Sequence, residues 1–101
     1  TASSAPVPTI ASVTLDAYPN PFNPTVEFSF ELPRTETVQL AVYDPRGRCV
    51  SVLHEGIAAA GPLRFTWDGR DTAGRALPSG VYLARLVAAD ATTLRKVVLA
   101  K

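Results

Sequence analysis

This sequence contains no methionine, and it has a single cysteine, a single histidine and a single tryptophan. The one cysteine, Cys49, cannot form an intrachain disulfide, and an unpaired thiol in a strand is most often a small buried hydrophobic residue. Transition-metal sites need several converging His, Cys or carboxylate ligands, so this chain is almost without donors for them. The missing first methionine leads us to expect a piece of a longer precursor, with any signal peptide upstream.

An excess of one charge and long hydrophobic runs are also lacking. Ten basic residues stand against nine acidic ones, and they are scattered, so no basic stripe indicates nucleic-acid binding. Hydrophobic residues make up 47% of the chain but are interrupted every few positions, whereas a membrane span needs about 18 or more in a row. We predict one soluble domain of 101 residues, monomeric in isolation and without a transmembrane segment.

Proline is abundant, and three of the nine prolines lie within seven residues, Tyr18-Pro19-Asn20-Pro21-Phe22-Asn23-Pro24. We name residues 18–24 the clip. Each proline fixes its own φ near −65° and biases the preceding residue toward extended geometry, so the clip should be stiff without regular secondary structure. Asn20 and Asn23 can hydrogen-bond to backbone groups. We predict that the clip crosses a sheet edge, with Tyr18 and Phe22 at least partly buried.

Apolar and polar residues alternate in several short segments, which is typical of half-buried antiparallel strands. The clearest is Val26 to Leu32, ended by Pro33. Further strands are predicted at 38–43, 48–54, 63–67, 80–88 and 94–101, with a weak edge strand at 10–17. The adjacent pair Val52-Leu53 leaves the inward face of its strand open or signals a β-bulge.

Seven short antiparallel strands in about 90 residues predict an all-β fold, an immunoglobulin-like sandwich, with a small open barrel as the alternative. Residues 1–8 have the composition of a linker, so the sandwich should occupy residues 9–101. Strand 80–88 fits a central position and the last strand an edge. Trp67 should be the centre of the core. The expected core residues are Phe28, Phe30, Val42, Phe65, Trp67 and Leu86.

Hard oxygen ligands occur in the polar turn 68–75, where Asp68 and Asp71 are weak calcium candidates. Asp44 or Asp16 could join them. The spacing does not match the helix-loop-helix calcium pattern. We therefore favour Asp68 and Asp71 as turn formers that accept hydrogen bonds from their own backbone.

The placement of the two reactive side chains disfavours a catalytic pair. Cys49 and His54 are five residues apart in one predicted strand, an odd spacing that puts them on opposite faces. His54, beside Glu55 and Gly56, fits a solvated residue at a strand end. The glycines punctuate turns and form no phosphate-binding loop. We predict a protein that is not an enzyme and binds no cofactor.

Two further surface functions have little support. Five arginines could form a patch for an anionic partner: Arg46, Arg48, Arg70, Arg75 and Arg85. Arginines in β-turns are more commonly just solvated. A carbohydrate-binding face needs exposed aromatic rings that stack on sugars. The available rings are Tyr18, Phe22 and Tyr43, and the first two also fit the clip.

Five motifs follow one another in a fixed order: the clip, Val42-Tyr43-Asp44-Pro45-Arg46-Gly47-Arg48, Trp67-Asp68-Gly69-Arg70-Asp71, Ser79-Gly80-Val81-Tyr82 and Arg95-Lys96-Val97-Val98-Leu99. From residue 18 onward the chain resembles the C-terminal sorting domain of type IX secretion, type A. That family is similar to the immunoglobulin-like domain of the flagellar hook-capping protein. The resemblance implies a non-catalytic domain of a secreted or surface-attached bacterial protein, recognised by the secretion machinery and then cleaved or used in attachment.

The resemblance also marks candidate partner-recognition residues: Tyr18, Asn20, Phe22, Asn23, Gly80, Tyr82, Lys96 and Lys101. A partner could add a strand to the last strand if its edge is free, with Lys96 and Lys101 setting charge complementarity. Two other functions stay open. One is a passive structural or assembly domain that contacts other domains of an extracellular parent protein, and the other is a carbohydrate-binding module.

Overall fold

A computed structural model of the protein describes residues 14–89 and 91–101, which form seven β-strands and no helix. The strands are β1 Asp16–Tyr18, β2 Val26–Leu32, β3 Glu36–Tyr43, β4 Cys49–Ala58, β5 Gly61–Trp67, β6 Gly80–Val87 and β7 Thr92–Leu99. They divide into a three-stranded sheet, β1-β2-β5, and a four-stranded sheet, β4-β3-β6-β7, with antiparallel pairing throughout. The predicted seven-stranded sandwich is confirmed. The described residues contain no helix suited to crossing a membrane.

Strand β2 shows most directly how the sequence produces the sandwich. Its alternate side chains are buried and point toward the other sheet, namely Val26, Phe28, Phe30 and Leu32. It pairs along its whole length with β5, from Val26 opposite Trp67 to Leu32 opposite Gly61. Because side chains alternate between the two faces of a strand, the polar residues between them form the outer surface of this sheet.

Strand β4 contains the bulge that the sequence signalled. Leu40 of β3 lies opposite His54 and Ala41 lies opposite Val52, so Leu53 is the extra residue. The strand continues to Ala58 instead of ending near residue 54. His54 therefore lies inside a strand and is half-buried, and the prediction of a solvated residue at a strand end was wrong.

The core is centred on Trp67, which is 1% exposed, as predicted. Phe28, Phe30, Val42 and Leu86 are also buried. Phe65 differs from the prediction because it is only half-buried. It lies on β5, an edge strand of its sheet, and its ring stacks on Phe30 at a centroid separation of 5.9 Å and lies 5.2 Å from the His54 ring.

Two further predictions concern single elements. Cys49 is exposed at the beginning of β4, so the prediction of a buried thiol was wrong. Of the weak strand predicted at 10–17, the part from Asp16 onward belongs to β1, whereas residues 10–13 and the linker at 1–8 lie outside the described residues. Leu15 and Ala17 are buried, so this short strand anchors the start of the described chain in the core.

Candidate interaction site

The clip lies along the outer edge of β7, the last strand of the four-stranded sheet. Phe22 forms a parallel β-bridge with Leu99. The Phe22 amide donates to the Val98 carbonyl at 2.8 Å, and the Ala100 amide donates to the Phe22 carbonyl at 2.9 Å. One clip residue therefore pairs with this edge as a strand residue would, which agrees with the predicted crossing of a sheet edge.

Asn20 continues this pairing with its side chain. Its Nδ2 donates to the Lys96 carbonyl at 2.9 Å, and its Oδ1 accepts from the Val98 amide at 3.0 Å. A carboxamide has the same donor and acceptor as a peptide group, so it can stand in for one. The backbone of β7 is thus occupied from Lys96 to Ala100. The prediction that a partner could add a strand there was wrong, because the clip already holds that position.

The two aromatic residues of the clip have opposite environments. Phe22 is 1% exposed and its ring lies 5.5 Å from the Trp67 ring, as predicted for an inserted side chain. Tyr18 is 79% exposed, so the prediction of its burial was wrong. In β1, Ala17 lies opposite Phe28 and faces the core, and alternation then turns Tyr18 to the outer face.

Tyr82 and Gly80, the next candidates on β6, belong to the fold. Tyr82 is 5% exposed, its ring is T-shaped against Trp67 at 5.5 Å, and its hydroxyl donates to the Pro78 carbonyl at 2.6 Å. Burial raises the Tyr82 pKa, with a smaller contribution from the negative charge of Asp44. Gly80 lies opposite Leu99 at the beginning of β6. Phe22 and Tyr82 cannot touch a partner in the folded domain because both are buried.

The remaining candidates are accessible. Asn23, Lys96 and Lys101 are exposed, as is Tyr18. The backbone amide of Lys101 donates to the Ser79 hydroxyl at 3.0 Å, which fixes the chain after β7. These side chains do not converge on a cavity, since Tyr18 lies on the outer face of the three-stranded sheet and Lys96 on the outer face of the four-stranded sheet.

Gly69, which was not predicted to have a role, lies in the 68–75 turn and packs against Pro24 at the end of the clip. Its φ is +74°, in the left-handed region that favours glycine. A Cβ there would lie 3.2 Å from Leu99 Cδ2 and 3.5 Å from the Pro24 carbonyl oxygen. The signal available in the sequence was the Trp-Asp-Gly motif itself, but its packing partners are distant in the chain.

Asp44 and Asp71 organise two turns of the same design. In each turn the carboxylate Oδ1 accepts hydrogen bonds from the amides two and four residues later, at 2.9 and 3.0 Å for Asp44 and at 3.0 and 2.9 Å for Asp71. The hydrogen bond from the Arg48 amide is the main cause that lowers the pKa of Asp44, and that from the Arg75 amide plays the same part for Asp71. Each guanidinium also pairs with the carboxylate, Arg48 at 3.4 Å and Arg75 at 3.1 Å.

Asp68 forms a similar but smaller turn, in which its Oδ1 accepts from the Arg70 amide at 3.2 Å. Asp68 and Asp71 are turn formers, as we favoured. No group of three His, Cys, Asp or Glu residues suited to hold a metal ion occurs in the described parts of the chain. Of the five arginines considered for an anion-binding patch, Arg48, Arg70 and Arg75 are engaged by these turn carboxylates.

The outer face of the four-stranded sheet carries most of the exposed large hydrophobic side chains. Four of the five large hydrophobic residues that are exposed lie on it: Val52, Ile57, Val81 and Leu94. Near its middle, Arg85 Nη2 donates to the Tyr43 hydroxyl at 2.7 Å, and the guanidinium lies 4.7 Å from the centroid of the Tyr43 ring. Alternation within single strands did not predict this face. We name these six residues the apolar face.

Residues 16–92, most of the described sandwich, match the sequence model of a known family, the FlgD Ig-like domain. The chain belongs to this family. The basal-body rod modification protein FlgD of Salmonella typhimurium is 36% identical over 70 residues, which cover 68% of this chain and 30% of that protein. FlgD of Salmonella typhi matches with the same identity and coverage. The chain thus spans under a third of the length of these FlgD relatives.

Solved structures support the same fold. FlgD from P. aeruginosa superposes with a TM-score of 0.54 at 33% identity, covering 74% of this chain and 59% of that one. Dimeric latent PorU from Porphyromonas gingivalis superposes with a TM-score of 0.69 at 22% identity, covering 86% of this chain and 9% of that one. PorZ, described as a surface component of the type IX secretion system of that bacterium, gives 0.58 at 19%, covering 86% and 11%. At these low identities PorU and PorZ show the shared fold alone.

Family membership identifies the described sandwich as an immunoglobulin-like domain. The family match supports the similarity to the domain of the hook-capping protein at least as well as the similarity to the type IX sorting domain. A role as a type IX sorting domain stays a prediction.

Proposed function

We propose that this chain is a non-catalytic assembly domain of an exported bacterial protein, and that it positions its parent by binding other protein surfaces. The observation that carries the proposal is the apolar face. Its four aliphatic side chains are between 41% and 75% exposed and share the outer face of the sheet with an Arg–Tyr pair. Aliphatic surface around Arg and Tyr is the composition found at the centre of protein interfaces.

The family supports this proposal, since FlgD of Salmonella typhimurium is named for modification of the basal-body rod. We extend from that name only the class of function, which is a structural contact between proteins. The same comparison supports an exported parent, with the domain outside the cytoplasm or at the cell surface.

The test is a glutamate on the apolar face of the parent protein in its host. Ile57→Glu or Leu94→Glu should prevent assembly of the parent, because a carboxylate would be buried without a partner at the interface. Ala73→Glu in the exposed 71–75 turn is the matched control. The melting temperature of each isolated variant should stay close to that of the wild type. Normal assembly of both face variants would overturn the proposal.

A second candidate function is export by type IX secretion, which the clip motif and the closing strand favour. Deleting residues 94–101 is an ambiguous test, because Val97 and Leu99 are buried and their loss would unfold the domain. A reporter fused to the intact domain is better. Export should fall with the double variant Lys96→Glu, Lys101→Glu, whose side chains are exposed beside the clip. Export at the wild-type level from this variant, or from a reporter without the domain, would reject this candidate.

A further inference from the structure

The outer face of the three-stranded sheet has a character opposite to that of the apolar face. By alternation from the pairing register it carries three exposed carboxylates against one basic side chain: Asp16, Glu27, Glu31 and Arg64. The strongly exposed ring of Tyr18 lies on the same surface, opposite Glu27. We name these five residues the acidic face. The two faces lie on opposite sides of the sandwich because they belong to different sheets.

Within the described chain, the charge of Arg85 has no acidic partner. Its guanidinium is held by the ring and hydroxyl of Tyr43, and its buried Nε has no hydrogen-bond partner among the described residues. Lys96, opposite Leu83 on the neighbouring strand, adds a second positive charge to this surface, and Glu55 is a negative charge near its β4 edge. The face therefore presents an oriented cation among aliphatic side chains and needs a carboxylate from outside.

The carboxylates of the acidic face are equally uncommitted. Glu27 and Glu31 lie on β2, the middle strand of their sheet, and form no ion pair or hydrogen bond with any described residue. Four residues of extended strand separate them, a distance of about 13 Å, so they straddle a flat surface. Tyr18 beside Glu27 supplies an apolar ring that could cover aliphatic side chains.

We infer that the acidic face of one copy of this domain binds the apolar face of a second copy, with a carboxylate of β2 pairing with Arg85. The contact is heterologous because it joins two different surfaces. Since these surfaces point in opposite directions, the same contact can repeat and build a head-to-tail stack. The inference rests on the proposed assembly role and names the partner, which is another copy of this chain.

The test compares two variants with the same change in net charge. Glu31→Lys alters the acidic face and Glu55→Lys alters the apolar face. Sedimentation velocity on the whole 101-residue chain measures self-association. Glu31→Lys should weaken it by about tenfold, and Glu55→Lys should strengthen it. The wild-type association should decline between about 20 mM and about 0.5 M salt, because screening weakens charge pairing. A monomeric wild type at all concentrations, or equal effects of the two variants, would overturn the inference.

A mixing experiment distinguishes this contact from a symmetric dimer. Arg85→Glu should also block self-association, yet it retains an intact acidic face, whereas Glu31→Lys retains an intact apolar face. Mixed together they should form a heterodimer with one native contact. If Arg85→Glu proves unfolded by circular dichroism, Lys96→Glu takes its place. No heterodimer in the mixture would reject the heterologous contact. Parent assembly that still depends on Ile57 and Leu94 after such a failure would leave the proposed function standing.

Discussion

Trp67 is the residue at which three parts of the molecule meet. Its ring contacts Phe22 of the clip and Tyr82 of the four-stranded sheet, although Trp67 itself belongs to the three-stranded sheet. Its Nε1 donates to the Arg70 carbonyl at 2.9 Å and so also fixes the following turn. Loss of this side chain should therefore loosen both sheets and the clip together.

Trp67→Ala is expected to lower the free energy of unfolding by about 3 to 5 kcal/mol, because it removes a large buried ring and leaves a cavity. Urea denaturation followed by far-ultraviolet circular dichroism measures this loss. Trp67→Phe is the matched control, since it keeps an aromatic ring but removes the indole N–H, and its cost should be smaller. A loss under 1 kcal/mol for the alanine variant would contradict the central position of Trp67.

Acid should destabilise the domain through Asp44 and Asp71. The pKa of each carboxyl is lowered below its ordinary value in the folded domain, mainly by a backbone hydrogen bond. A lowered folded pKa contributes stability above the unfolded pKa of about 4, and this contribution disappears as the pH falls through the folded pKa. Asp71→Asn should therefore destabilise the domain at pH 7 and much less at the acid end. Melting curves from pH 7 downward test this, and an undiminished loss in acid would contradict it.

The clip is the element in which the sequence was both most and least informative. Its prolines predicted a stiff segment that crosses a sheet edge, because proline acts on its own residue and its neighbour. The bonds of Asn20 could not be predicted, since Lys96 and Val98 are more than 70 residues away and are positioned by the register of β6 and β7. The orientation of Tyr18 was wrong because the register of β1 on β2 decides it.

The strands themselves were largely predictable, because alternation is a local property of the chain. Val26–Leu32 has the predicted bounds, and the bulge at Leu53 was visible as an adjacent apolar pair. Sheet order and the apolar face were not predictable in this way. Ile57 and Leu94, for example, share a surface only because β4 and β7 belong to the same sheet, of which they are the two edge strands.

Asn20→Ala should cost about 1 to 2 kcal/mol, because two hydrogen bonds to β7 are lost while the partner groups can still reach water. Asn23→Ala is the matched control, an exposed amide in the same segment without a hydrogen bond to the described chain, and should change stability by less than about 0.5 kcal/mol. Hydrogen exchange at the Val98 amide should accelerate only in the Asn20 variant. Equal exchange rates in both variants would show that the Asn20 side chain does not protect this edge.

The whole molecule should unfold in one transition, because the two sheets and the clip share a single core. Buried residues from both sheets and from the clip form one cluster, including Phe22, Phe28 and Leu86. Single domains of this size are usually two-state. Trp67 is the only tryptophan, so its fluorescence reports the junction of sheets and clip, and its urea midpoint should equal that from circular dichroism. An earlier fluorescence midpoint would show that the clip detaches before the sheets unfold.

The use of proline and a side-chain amide to cover β7 has a consequence for aggregation. An ordinary added strand would present a new row of N–H and C=O groups to the next molecule, so the sheet could grow into a fibril. Pro19, Pro21 and Pro24 have no N–H to offer, and Asn20 uses its carboxamide inward. Pairing therefore stops with the clip along this part of the edge, and backbone-templated growth from it is blocked.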